Sequence, residues 1–208
     1  PEIINRKIAN GTGNFLYEPA MTLEQYQQAL NIGAEMADTC FNDGSDIICM
    51  GEMGIANTSP SSIWMSLFGN IPLGECVGAG AGLDNEGIRR KYEILNKAVE
   101  NFKSSSVDCS NAEEIIRYFG GFEMVAAIGA MLRAAECHLI IMVDGFIMTA
   151  CALAASRLYP DIIDYMVFGH SGDEGGHARM LGLLNAKPLL SLGLRLGEGT
   201  GALCSFPI

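Results

Sequence analysis

Three times along this chain an apolar run stops abruptly in a glycine-bearing polar loop, and that recurrence restricts the fold more than any other feature. The first run, Asp46 to Met50, gives way to Gly51-Glu52-Met53-Gly54 and then to Asn57-Thr58-Ser59. The second, Leu139 to Val143, ends in Asp144-Gly145, and the third, Ile162 to Phe168, ends in Gly169-His170-Ser171-Gly172. Short apolar runs rich in β-branched residues and bounded by glycine read as buried strands. In the first loop, Gly51 and Gly54 remove side chains on both sides of Glu52, so the backbone there can approach a ligand closely.

Helical patterns fill the intervals. Thr22-x-x-Gln25 is a capping box, and Tyr26, Leu30, Gly33, Ala37, Cys40 and Phe41 then recur at three- and four-residue spacing up to Asn42-Asp43-Gly44. A short helix is expected over 61–68. Asp84 N-caps a long helix with Ile88, Tyr92, Leu95, Val99 and Phe102 as its buried stripe, and Lys91 lies off that stripe, where a lysine is ordinarily solvated. Ser110-x-x-Glu113 reads as a second capping box, Phe122 to Cys137 as a nearly all-apolar helix, and Gly145 to Leu158 as an alanine-rich helix stopped by Pro160. Residues 1–20 read as loop, and 69–82 as a second, glycine-rich loop without the order of a phosphate-binding fingerprint. Strands alternating with helices, each strand followed by a polar loop, predict a parallel sheet with ligands bound outside the strand C-terminal ends. The expected fold class is α/β, a Rossmann-like parallel sheet with helices on both faces in three layers, forming one domain over residues 1–208.

A formal net charge of -11 without a basic patch argues against a nucleic-acid partner and against an anionic membrane surface. Seven cysteines lack C-x-x-C spacing, which suits reduced thiols in a cytoplasmic protein better than a disulfide framework or a zinc site. No apolar run reaches the length of a membrane span. The start at Pro1 and the apolar end at Ile208 lead us to expect a piece of a longer chain.

Glu52 and Glu198 are the two glutamates set between glycines, an arrangement that presents a carboxylate to a ligand and suits either a general base or a turn cap. By its place at a strand tip, Glu52 is the first choice as the acid–base residue. Asp144 reads as a ligand-facing carboxylate or as the N-cap of the following helix. His170 and His177, with Asp173 and Glu174, match no strong metal spacing, and His177 reads equally as a surface residue. Ser171 suggests an anion site beside a helix start.

Six motifs then occur in one order: Gly51-Glu-Met-Gly-Ile-Ala-Asn-Thr58, Gly82-Leu-Asp-x-Glu-Gly87 with Lys91, Gly120-Gly-Phe-Glu123, Asp144-Gly-Phe146, Gly169-His-Ser171 and Arg195-Leu-Gly-Glu-Gly-Thr-Gly201. Together they resemble the nicotinate-nucleotide:dimethylbenzimidazole phosphoribosyltransferase family over nearly the whole chain. The resemblance implies transfer of phosphoribose from nicotinate mononucleotide to a benzimidazole-type base, giving alpha-ribazole 5′-phosphate for the lower ligand of cobalamin. It implies that Glu198 is the catalytic general base, and that Glu52 and Lys91 position nicotinate mononucleotide. Gly54, Asn57, Thr58, Gly80, Asp144, Gly145, Ser171 and Gly197 fall on loops that would bind that substrate. It further implies no cofactor or metal, a homodimer, and an N-terminal base-pocket segment and C-terminal helix beyond this domain. The alternative is a non-catalytic nicotinate mononucleotide-binding subunit, or a truncated homologue needing a partner chain; a metal-dependent hydrolase using the His170–His177 loop is a third reading.

Overall fold

The computed structural model describes residues 3–80, 82–174, 176–194 and 198–208. Its centre is a three-stranded parallel sheet of β1 (Ile47–Met50), β2 (Ile140–Val143) and β3 (Met166–Phe168), in the order β1-β2-β3. Met50 pairs with Val143, and Val143 with Phe168, so the three strands end in one row. The loops beginning at Gly51, Asp144 and Gly169 therefore leave the sheet along the same edge, which is where a parallel sheet with crossover connections puts its ligands.

Helix α1 (Leu23–Asn42) starts at the expected capping box: the Gln25 N–H donates to Thr22 Oγ1 at 3.1 Å, and the Thr22 N–H to Gln25 Oε1 at 3.0 Å. It buries Tyr26, Ala29, Gly33 and Ala37 and packs along α5 (Phe122–Glu136). The two helices approach backbone to backbone, because a Cβ at Gly33 would collide with the Ala126 carbonyl and one at Gly129 with the Leu30 carbonyl. Phe41, placed on the same apolar face by periodicity, is exposed, while Cys40 beside it packs against the core.

Helix α6 (Phe146–Leu158) is buried continuously from Phe146 to Ser156. Its alanines let it sit with α2 (Thr58–Gly69) and α4 (Ala112–Phe119) among its neighbours as well as α5, and an all-round apolar helix is the form such a central element takes. Helix α2 begins at Thr58, three residues before the expected start. Pro60 is no obstacle there, because in the first turn its missing N–H has no intrahelical partner to lose. The cap of α4 is Asn111 rather than Ser110: Asn111 Oδ1 accepts from the Glu113 and Glu114 N–H groups, while Ser110 bonds Asp108.

The third strand is shorter than expected. Pro160 opens a 3₁₀ segment through Tyr165, and only Met166–Phe168 pair with β2. Within the glycine-rich stretch 69–82 a 3₁₀ turn at Leu73–Glu75 buries Leu73 and Cys76. Helix α3 (Asn85–Lys103) is capped by Asp84, whose Oδ1 accepts from the Gly87 N–H at 2.8 Å. Its Leu95, Ala98, Val99 and Phe102 are buried, but Tyr92 is exposed, because the N-terminal half of α3 stands out from the core. Two short helices, α7 (His177–Leu183) and α8 (Thr200–Ser205), close the described chain. All seven cysteines are unpaired, and among the described residues no helix is long and apolar enough to cross a membrane.

Candidate active site

The three strand tips open into one cleft of about 280 Å³, near the lower end of the ~300–1,000 Å³ range of small-molecule sites. Glu52, Gly54, Asn57, Thr58, Gly80, Asp144, Gly145 and Glu198 all line it, so most residues selected from sequence converge on one surface. Ser171 is not among the lining residues: its N–H is taken by the Leu190 carbonyl at 2.9 Å, in a short parallel bridge between His170 and Leu190. Gly197 lies outside the described residues.

On the β1 side, Glu52 turns back on its own loop. Its Oε2 accepts from the Gly54 N–H at 2.8 Å and from Asn57 Nδ2 at 2.5 Å. The same Asn57 amide reaches Glu123 Oε1 at 3.3 Å, so Asn57 ties two carboxylates together and its amino group is directed at the protein. Gly54 is required by this packing, since a Cβ there would overlap the Asn57 amide. Ala56 holds the loop with φ of 68°, in the left-handed region that costs a non-glycine residue about 1–2 kcal/mol.

Lys91 corrects the reading of a solvated lysine. It is half-buried, and its Nζ donates to Thr58 Oγ1 at 2.9 Å and to the Gly78 carbonyl at 3.4 Å. Burial lowers its pKa and the Glu174 carboxylate partly restores it. The N-terminal half of α3 carries this lysine to Thr58 at the edge of the cleft. Gly80, with φ of 55°, would bring a Cβ to 3.0 Å from Thr58 Oγ1 and 3.8 Å from Lys91 Nζ, so a glycine keeps the mouth beside the ammonium open. Helices α2 and α6 both start at the cleft with N-cap residues, Asn57 and Gly145, that make no side-chain cap. Two helix N-termini, with Lys91 bonded to Thr58 at the edge, set partial positive charge against the carboxylates of Glu52, Asp144, Glu174 and Glu198 that line the cleft. The first turn of α6 adds Phe146, Ile147 and Met148 as an apolar wall.

Asp144 is neither a free ligand group nor the cap of α6. Its carboxylate is buried and bonds the far end of the sequence: Oδ2 accepts from the Gly199 N–H and Oδ1 from the Ala202 N–H, each at 3.0 Å. It thus caps α8 and fixes the turn that presents Glu198. Glu198 itself is exposed to the cleft with φ of 64°, and Gly199 follows at 85°. The turn rests directly on β1's tip, where a Cβ at Gly51 would strike the Glu198 carbonyl carbon.

His177, read as a possible surface residue, is fully buried. Its Nδ1 accepts from the Gly172 N–H at 2.9 Å and its Nε2 lies 3.0 Å from Thr149 Oγ1, which donates to the Gly145 carbonyl at 2.9 Å. Both ring nitrogens are therefore committed to protein groups that shape the loop after β3 and the start of α6. Burial, with the neighbouring His170 adding to it and Asp144 opposing, pushes its pKa down to about 4. The overlooked signal was Thr149, the single polar residue among Phe146–Ala155. Among the described residues no group of three or more His, Cys, Asp or Glu is disposed to hold a metal.

The cleft thus gathers the strand tips of a parallel sheet, two helix N-termini and the glutamates Glu52 and Glu198, and a family model described as phosphoribosyltransferase matches residues 1–208. The nicotinate-nucleotide–dimethylbenzimidazole phosphoribosyltransferase of Parabacteroides distasonis is 56% identical over 209 residues, covering 100% of this chain and 59% of the relative. The protein of the same name from Dechloromonas aromatica is 42% identical over 206 residues, covering 99% of this chain and 59% of its own. The crystal structure of CobT from Thermus thermophilus superposes with a TM-score of 0.91 at 36% identity, over 98% of this chain and 60% of that one. The chain belongs to the nicotinate-nucleotide–dimethylbenzimidazole phosphoribosyltransferase family. It spans 59% of the length of these curated relatives.

Proposed function

We propose that this chain carries the catalytic core of an enzyme that transfers phosphoribose from nicotinate mononucleotide to a benzimidazole-type base, giving alpha-ribazole 5′-phosphate for the lower ligand of cobalamin. The observation that carries the proposal is the arrival of Glu198 and Glu52 at one cleft from distant parts of the chain, with Lys91 bonded to the cleft-lining Thr58, in a family whose named members are this transferase. Lys91 and the two helix N-termini suit the phosphate, while Phe146, Ile147 and Met148 suit an aromatic ring.

In the reaction proposed, one ring nitrogen of the base attacks C1′ of the ribose. The C1′–N bond to nicotinate breaks, and its electron pair neutralises the pyridinium nitrogen of the leaving group. The proton on the other ring nitrogen of the base passes to the Glu198 carboxylate. Glu52, with Oε2 held by Gly54 and Asn57, keeps its carboxylate fixed against the substrate wall. A working homodimer in the cytoplasm belongs to the same proposal.

The test is Glu198→Gln in the full chain. Loss of general-base assistance lowers the rate of alpha-ribazole phosphate formation by ~10²–10⁴-fold, while calorimetric titration with nicotinate mononucleotide gives an affinity close to that of the parent. Undiminished turnover would remove Glu198 from the role.

A further inference from the structure

His170 follows the tip of β3 and lines the cleft, yet its side chain is only 1% exposed. Its Nε2 lies 3.4 Å from Asp144 Oδ1, and neither ring nitrogen has a hydrogen-bond partner among the described residues. Buried polar groups are nearly always paired, and those left unpaired call for an explanation such as a functional role. The space around the ring is closed by design: a Cβ at Gly201 would collide with the imidazole and come within 2.7 Å of Asp144 Oδ1, and Gly145 leaves its own Cβ position 3.6 Å from Nε2. The edge of His177 stacks against the ring at a centroid distance of 6.0 Å.

Asp144 is the group His170 touches, and both oxygens of Asp144 hold N–H groups of the turn that carries Glu198. That turn keeps Glu198 in the left-handed region, a conformation that persists for a non-glycine residue only where the surroundings over-determine it. Gly51 supports the turn from below, and Asp144 is its anchor from the side. The Asp144 oxygens each accept one N–H of that turn, and His170 Nε2 sits 3.4 Å from Oδ1, packed against the same carboxylate.

We propose that His170 and Asp144 form a positioning pair for Glu198, the imidazole fixing the carboxylate and the carboxylate fixing the Gly199–Ala202 backbone so that Glu198 points into the cleft. The pair acts through Glu198 and touches no reacting atom. The inference rests on the reading of Glu198 as the general base, and it links the tips of β2 and β3 to a carboxylate supplied by neither strand.

The experiment uses the full chain with Asp144→Asn, His170→Gln and His170→Met, read by hydrogen–deuterium exchange and by steady-state kinetics. Gln keeps an N–H donor near the place of Nε2, whereas Met fills the space without one. In Asp144→Asn the peptide covering 198–205 exchanges about tenfold faster while that covering β2 is unchanged. In the same variant kcat falls by about 10–100-fold, as displacement of a reacting group does, with KM for nicotinate mononucleotide within about threefold, since Lys91 and α2 are untouched. His170→Met falls similarly and His170→Gln recovers most of the loss. Unchanged exchange of 198–205 in Asp144→Asn, or equal kcat in His170→Gln and His170→Met, overturns the pair. Faster exchange there together with full turnover in Glu198→Gln would instead remove the general-base reading and leave the positioning of the turn standing.

Discussion

Because the Gly172 N–H points at His177 Nδ1, the buried ring is neutral with its proton on Nε2, donated to Thr149. Protonating Nδ1 would set two N–H groups against each other, and burial, with His170 adding to it and Asp144 opposing, lowers the pKa from 6.5 to about 4. In the unfolded chain the same histidine titrates near 6.5. Between these values the unfolded state binds more protons than the folded one, so stability is complete above pH ~6.5 and is lost as pH falls, levelling out below pH ~4. The loss attributable to His177 is roughly 1 kcal/mol at pH ~5.5 and roughly 2–3 kcal/mol at pH ~4.5. Carboxylates titrate in the same range, so the measurement compares the protein with its His177→Gln variant. Urea unfolding of both at pH ~7.5, ~5.5 and ~4.5 gives two stability profiles. The variant starts lower, having lost a fitted ring, but its profile is shallower by roughly 2–3 kcal/mol from pH ~7.5 to ~4.5. Profiles that run parallel within about 0.5 kcal/mol would show that His177 takes up a proton as readily folded as unfolded, and the tautomer assigned from Gly172 would be wrong.

The close approach of α1 and α5 makes Gly129→Ala expensive: the methyl group meets the Leu30 carbonyl, and a rigid backbone on both sides sets the loss at roughly 2–4 kcal/mol, seen as a lower urea midpoint with an unchanged slope. Ala56→Gly has the opposite sign. Ala56 is exposed at φ of 68°, so relief of the left-handed strain outweighs the added freedom of the unfolded chain by about 0.5–1 kcal/mol; a lower melting temperature in the glycine variant would contradict that.

How far the sequence reaches depends on how local the cause is. The capping box of α1 and the apolar runs of β1 and β2 are written in consecutive residues, and they stand where the spacing predicts. The convergence of Glu52, Asn57 and Gly145 on one cleft follows from parallel topology, because each strand delivers its loop to the same edge; Gly80 and Glu198 arrive there from loops that no strand delivers. The cap of α4 went to Asn111 instead of Ser110 since two adjacent polar residues can each start a helix, and only the neighbouring Asp108 decides by occupying the serine. Lys91 was unreadable from α3 alone: its partners, Thr58 and Gly78, belong to other segments. Asp144 is the extreme case, for its partners are 55 and 58 residues downstream and leave no local trace. His177 misled because a histidine in a run of glycines looks solvated, while its burial is set by α6.

The register of β1 against β2 has a consequence for how the protein is made. Ile47 and Ile140 are neighbours in the sheet although more than ninety positions separate them, and the Asp144 anchor must wait for Ala202 to emerge. Closing loops of that span has an entropic cost that contacts reward only after closure, which slows folding of parallel sheets. Helices α2 to α5 all leave the ribosome before β1 meets its partner strand, so their own local contacts must keep the chain soluble in the meantime. The cleft, drawn from residues between Glu52 and Glu198, is among the last features to be completed, and a nascent chain acquires its binding capacity late, after most of its helices already exist.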